Sequence, residues 1–115
     1  MSVIRDRILD HLAETMLRTL HIPGTVAGMA YLTYAISETV KDPHRTRFIT
    51  KDLYFEIART YHTKAINVER AMRWAIQVSW NTARNELDQM AGFHLVKRPT
   101  NKEFIDLVAF HIRSR

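Results

Sequence analysis

Glu69, Arg70, Arg73, Trp74 and Gln77 recur at i+3 and i+4 spacing, so on a helix they share one face. Such a set donates and accepts hydrogen bonds at a surface. The six histidines, the other candidates for chemistry, do not assemble. His11, His21, His44, His62, His94 and His111 are scattered, with no H-x-x-x-H pair on one helical face and no H-E-x-x-H motif, and read as surface residues. There is no Gly-rich phosphate loop, no G-x-S-x-G and no acid pair in an apolar frame. The chain has no cysteine, hence no thiolate chemistry and no Cys-based metal site or disulfide, which fits a reducing compartment. No enzyme is expected, and no catalytic residue, metal or cofactor.

The polar face belongs to the second of two helices expected between Thr50 and Trp80. In the first, Leu53, Ile57 and Ala58 are the apolar positions, with Thr50 as N-cap and Phe48 and Ile49 just before it. In the second, Val68, Ala71, Met72, Ala75 and Ser79 form a narrow stripe of small and medium side chains, suited to close packing against a neighbour. His62 to Ile66 is a short polar connection in which Thr63 is available as a cap. Lys51 and Lys64 each stand at a helix start, where backbone N–H groups favour anions. This is the layout of a helix-turn-helix. It is equally that of an ordinary helical hairpin with a solvated charged face, and the corner lacks the usual glycine.

Charge adds a direction. From Lys41 to Arg73, eight Lys/Arg (Lys41, Arg45, Arg47, Lys51, Arg59, Lys64, Arg70, Arg73) stand against four acids (Asp42, Asp52, Glu56, Glu69), which is most of the net +5. A polyanion would dock there. The plain alternative is scatter of surface cations.

The rest of the chain reads as support. At 115 residues it is expected to be one all-α domain of about six helices, spanning 1–115, with only three Gly and three Pro. Ser2 to Leu20 is an amphipathic helix capped by Ser2, with Ile4, Ile8, Leu12, Met16 and Leu20 on its apolar line and Arg5, Asp6, Asp10, Glu14 and Arg18 facing away as a solvated surface. Pro23 ends it. A second helix, from Gly24 or Thr25 to about Val40, is apolar all round and therefore central, with Tyr31 and Tyr34 placing rings in the core and hydroxyls at its rim. Lys41 to Arg47 is a basic loop. A short helix ends near Gly92, Lys97-Arg98-Pro99 breaks the chain, and Thr100 to Glu103 is a capping box opening a last helix. No apolar run reaches transmembrane length and no signal peptide is present, so a soluble, cytoplasmic protein is expected.

The runs I-T-K-x-L-Y-x-x-I-A (49–58) and V-E-R-A-M-R-x-A-I (68–76), the closing Trp80, I-P-G-T-V-A-G-M-A-Y-L-T-Y-A-I-S (22–37) and P-T-N-K-E-F-I (99–105) resemble the DNA-binding effector domain of the sporulation response regulator of endospore-forming bacteria. The resemblance implies a six-helix fold whose helix-turn-helix reads short TGTCGAA-like boxes in double-stranded DNA, as a homodimer on tandem sites. It implies base reading by Asn67, Glu69, Arg70, Arg73 and Trp74, and phosphate contacts are expected from Thr50, Lys51, Thr63 and Lys64. An Arg can fork onto guanine O6 and N7, and a Glu can accept from cytosine N4. Asn67 and Trp74 depart from the Arg and His usual in the family, which points to an altered box. Residues 81–89 correspond to the family's surface for the RNA polymerase sigma factor. In that family a receiver domain precedes this one. The pattern here begins almost at Met1 with no phospho-acceptor Asp, as expected of either a free-standing effector domain or one excised from a longer regulator.

A rival reading makes the chain an interaction module that pairs with a full-length regulator without reading DNA well. A nonspecific DNA-compacting role is disfavoured by the acidic Glu69 in the reading face.

Overall fold

The stretch apolar all round lies where that pattern demands, in the middle of the fold. The computed structural model describes residues 6–114. Among them are six α-helices: α1 (Arg7–Thr19), α2 (Ala27–Lys41), α3 (Tyr54–Thr60), α4 (Ala65–Thr82), α5 (Arg84–Ala91) and α6 (Asn101–Arg113), with no strand among the described residues. α2 packs against α1, α4 and α6. It buries Leu32, Ala35 and Ile36 completely, and Leu17, Ile57, Met72, Leu87, Phe104 and Ile105 complete the same core.

α1 starts later than its periodicity suggested. Asp6 is its N-cap and accepts from the Ile8 and Leu9 amides at 3.0 and 3.1 Å; Ser2, Ile4 and Arg5 lie outside the described residues. The expected i+4 apolar line holds only in part: Leu20 is buried and Leu12 and Met16 pack half-buried against the core, but Ile8 is 75% exposed, and Ala13 and Leu17 are the other positions that α1 buries. An i+4 line drifts by about 40° per step, so a line buried at Leu20 has left the core face by Ile8, three steps away. Asp10 does not face away: the Ser37 hydroxyl donates to it at 2.6 Å, tying α1 to α2. Glu14 pairs with Arg18 at 2.7 Å.

Two histidines stand where glycine is usual. After α1 the Ile22 amide bonds Leu17 O and the His21 amide bonds Arg18 O; after α3 the Thr63 amide bonds Ala58 O and the His62 amide bonds Arg59 O. Both ends are Schellman turns. Both put a histidine in the left-handed region, with φ of 66° at His21 and 56° at His62. Histidine is among the residues that tolerate that region best. The missing glycine at the corner is thus replaced, and α3 and α4 do form a helix-turn-helix unit.

Arg45 corrects the reading of 41–47 as a free basic loop. Its guanidinium is held by Glu38 at 2.8 Å, Glu56 at 3.0 Å and Asp52 at 3.6 Å, and Lys41 pairs with Glu38 at 2.8 Å. The Tyr34 hydroxyl also donates to Glu56, at 2.6 Å. Arg45 fastens α2 to α3, while the Lys41–Glu38 pair lies within α2. Burial alone would raise the Glu56 carboxyl, but the Tyr34 hydrogen bond and the Arg45 charge outweigh it and hold it below the usual glutamate range. A lowered folded value means that the network stabilises above the ordinary glutamate range and is lost as pH falls through the folded value. Urea midpoints of wild type are therefore expected to fall on that acid limb, and Glu56→Gln is expected to flatten the fall. Parallel slopes would show that other carboxylates govern acid unfolding.

Candidate nucleic-acid interface

Packing decides which face of α4 is free. Val68, Met72, Ala75, Ile76 and Ser79 are buried, leaving Ile66, Asn67, Arg70, Arg73 and Trp74 exposed on a contiguous arc, with Glu69 and Gln77 half-buried at its edge. The buried side is clamped at Gly28 of α2. A Cβ built there would lie 2.6 Å from the Ala71 carbonyl oxygen and 2.8 Å from Ala75 Cβ. The small stripe expected for α4 thus meets a residue with no side chain at all.

The expected base-reading residues share this arc. Arg70 is exposed, and Arg73 Nε lies 3.5 Å from Glu69 Oε1, so the acid and the second Arg are paired one turn apart. Trp74 is 55% exposed. Asn67 donates through Nδ2 to Thr63 Oγ1 at 3.1 Å, leaving its Oδ1 and the second amide hydrogen to face outward.

The four expected phosphate positions are less alike. Lys64 is the exposed N-cap of α4, next to the first-turn amides. Thr63 is no cap; it holds Asn67. Thr50 is no cap either. Residues 49–53 form a single π-helical turn in which the Tyr54 amide reaches back to Ile49 O, and the Lys51 and Asp52 amides bond Phe48 O. The backbone of Phe48 ends the turn where a threonine side chain was expected. Thr50 lies beside Glu69 and Arg73 in a depression that Thr100 and Lys102 also line, while Lys51 is exposed on the same turn.

Two features escaped the sequence reading. Asn101, at the start of α6, donates to the Tyr54 hydroxyl at 2.9 Å and to the Glu69 carbonyl at 3.2 Å, locking α3, α4 and α6 together. The capping box fixes that start: Thr100 Oγ1 accepts from the Glu103 amide, and Glu103 Oε1 accepts from the Thr100 amide. Arg98 lies against α4 and donates to Gln77 Oε1. A basic pair before a proline was legible only as a chain break, since its partner is 21 residues away.

Beyond the arc, Arg84 stacks on the Trp80 ring at 3.5 Å and donates to Leu95 O at 2.8 Å, and Asp88 holds the Leu95 amide at 2.9 Å. Segment 81–89 thus spends several polar groups internally and exposes Asn81, Thr82, Asn85 and Gln89. Phe93, Val96 and Phe110 are exposed around an apolar groove beside α6. Among the described residues no group of acids and histidines could hold a metal ion, and no helix is long and apolar enough to cross a membrane. A comparison with protein families finds a match along most of the chain: the family described as Sporulation initiation factor Spo0A C terminal covers residues 13–112.

Proposed function

The chain belongs to the Spo0A C-terminal family, the DNA-binding domain of the sporulation regulator, and from that membership we propose that it acts as one effector domain whose α4 reads short boxes related to TGTCGAA. The observation that carries this reading is the exposed arc of Asn67, Arg70, Arg73 and Trp74 on a helix whose other side is fully buried. An α-helix fits the major groove, where Arg forks onto guanine and Glu accepts from cytosine. Glu69 and Arg73 present those two chemistries side by side. Thr50, Lys51, Thr63 and Lys64 flank the arc and take phosphates, setting register without reading sequence.

Asn67 and Trp74 shift the box. The Asn67 amide, steadied by Thr63, favours an adenine through N6 and N7, and Trp74 supplies apolar contact to a thymine methyl or to sugar. Selection from randomised duplexes is expected to return a box related to TGTCGAA but altered at one or two positions. Asn67→Arg with Trp74→His is expected to move the preference back.

Binding as a homodimer on tandem boxes is part of the proposal, supported by the exposed apolar groove around Phe93, Val96 and Phe110. The exposed polar side chains of 81–89 are the proposed sigma-factor contact. The second reading, a module that engages a full-length regulator, draws on the 55% exposure of Trp74. Under it, selection returns no enriched box at moderate salt, and Trp74→Ala abolishes association with the regulator while leaving DNA affinity unchanged.

A further inference from the structure

We propose that Arg98, on the segment between α5 and α6, is a phosphate-binding residue of the DNA surface, and that Gln77 is the side chain that aims it. The proposal rests on the reading of α4 as the recognition helix and adds a second wall to it. Arg70, Arg73, Trp74, Gln77 and Arg98 line one surface depression. Arg98 thus shares with Arg70, Arg73 and Trp74 of the exposed arc a concavity to which it alone among the lining residues comes from outside α4.

Its partner is informative. Arg98 donates to the neutral amide oxygen of Gln77, while Gln77 Nε2 donates to Asn81 Oδ1 at 2.8 Å. The Gln77 amide has a partner at its oxygen and at its nitrogen, which fixes its orientation and with it the direction of the cation it holds. A guanidinium has five N–H donors, and this contact leaves most of them for an anion. The backbone holding Arg98 is fixed on its C-terminal side, since Pro99 is buried and Asn101 is bonded to Tyr54 and Glu69. Lys64 marks the N-terminal end of α4, and Gln77 lies near its C-terminal end. Phosphate contacts at Lys64 and Arg98 would bracket the recognition helix, holding it in the groove from both ends.

A backbone contact has a distinct signature. Removing one phosphate contact lowers the slope of log K against log salt by about 0.9, which is roughly fivefold in affinity near 0.15 M salt. Binding of wild type, Arg98→Ala, Arg98→Lys and Gln77→Leu to the selected box and to a scrambled duplex is measured across a salt series. Arg98→Ala is expected to lose about fivefold on both duplexes with the slope reduced by about one, and Arg98→Lys to recover most of it. Gln77→Leu is expected to lose part of the same slope, and nothing further in the Arg98→Ala background. Unchanged affinity and slope in Arg98→Ala overturns the proposal, as does a loss confined to the box, which would make Arg98 a base reader. Arg70→Ala run alongside separates the two failures: if it loses the box while Arg98→Ala is silent, α4 still reads DNA and only the second wall is wrong. Arg98 is exposed, so equal thermal midpoints for wild type and Arg98→Ala are the folding control.

Discussion

Gly28→Ala is expected to destabilise the protein by about 1–3 kcal/mol, although the same change in an open helix is favourable. Alanine is preferred over glycine within a helix by about 1 kcal/mol. Here the added methyl meets a backbone oxygen at 2.6 Å and a Cβ at 2.8 Å, and neither can rotate away. α2 and α4 must move apart, and overpacking of that kind costs about 1–3 kcal/mol beyond any propensity gain. Gly24→Ala is the control. Its methyl would meet the Arg18 guanidinium at 2.6 Å, the far end of a flexible exposed side chain, so a change near zero or a slight gain is expected. Urea unfolding with unchanged m-values would report both. For a domain of this size the thermal midpoint should fall by about 4 °C per kcal/mol in Gly28→Ala alone. A midpoint at or above wild type would mean that the α2–α4 contact is looser than these distances state, and with it the mounting of the reading helix.

Much of this mounting was legible in the residues. The all-round apolar pattern of 26–36 marked α2 as central, the small stripe of Val68, Ala71, Met72 and Ala75 marked the packed side of α4, and Thr100 to Glu103 marked the start of α6. Each is a local signal: a period, a volume or a four-residue motif. The failures were of two other kinds. Thr50, Thr63 and Ser2 have good capping side chains, but a cap is decided by which amides are free at that turn. At Thr50 a π-helical turn had already set them, at Thr63 the hydroxyl accepts from Asn67 Nδ2 instead, and Ser2 lies outside the described residues. The second kind was nonlocal. Arg45 looked like a free cation until the fold brought Glu38, Asp52 and Glu56 around it, and Arg98 looked like a loop residue until α4 passed beside it. Charge counted along a sequence cannot separate a cation spent on the fold from one left for a partner. The surplus open to a partner is accordingly narrower than the count over 41–73 suggested: Arg45 is drawn into the fold and the exposed Lys41 is paired with Glu38, while Arg47, Lys51, Arg59, Lys64, Arg70 and Arg73 are exposed.

Arg70→Ala and Arg73→Ala are each expected to weaken binding to the preferred box by about 1–3 kcal/mol, or roughly 5- to 150-fold. The two should not behave alike. Arg70 has an open position on the arc, so its removal deletes one fork and leaves its neighbours as they were. Arg73 is paired with Glu69 at 3.5 Å, and its removal leaves that carboxylate facing the phosphates without a cation. The ion pair itself is exposed and contributes only about 0.3–0.5 kcal/mol to the helix. Repulsion of DNA by an unneutralised Glu69 outweighs that small loss, and it acts on every sequence. Arg73→Ala should therefore lose affinity for a scrambled duplex as well as for the box, and adding Glu69→Gln should recover the sequence-independent part. Arg70→Lys keeps the charge and loses the fork, so it should retain most nonspecific binding while losing discrimination. Fluorescence anisotropy on box and scrambled duplexes at two salt concentrations separates these cases. Should both alanine variants bind the box as tightly as wild type, α4 is not the reading helix, and its exposed face serves a protein partner.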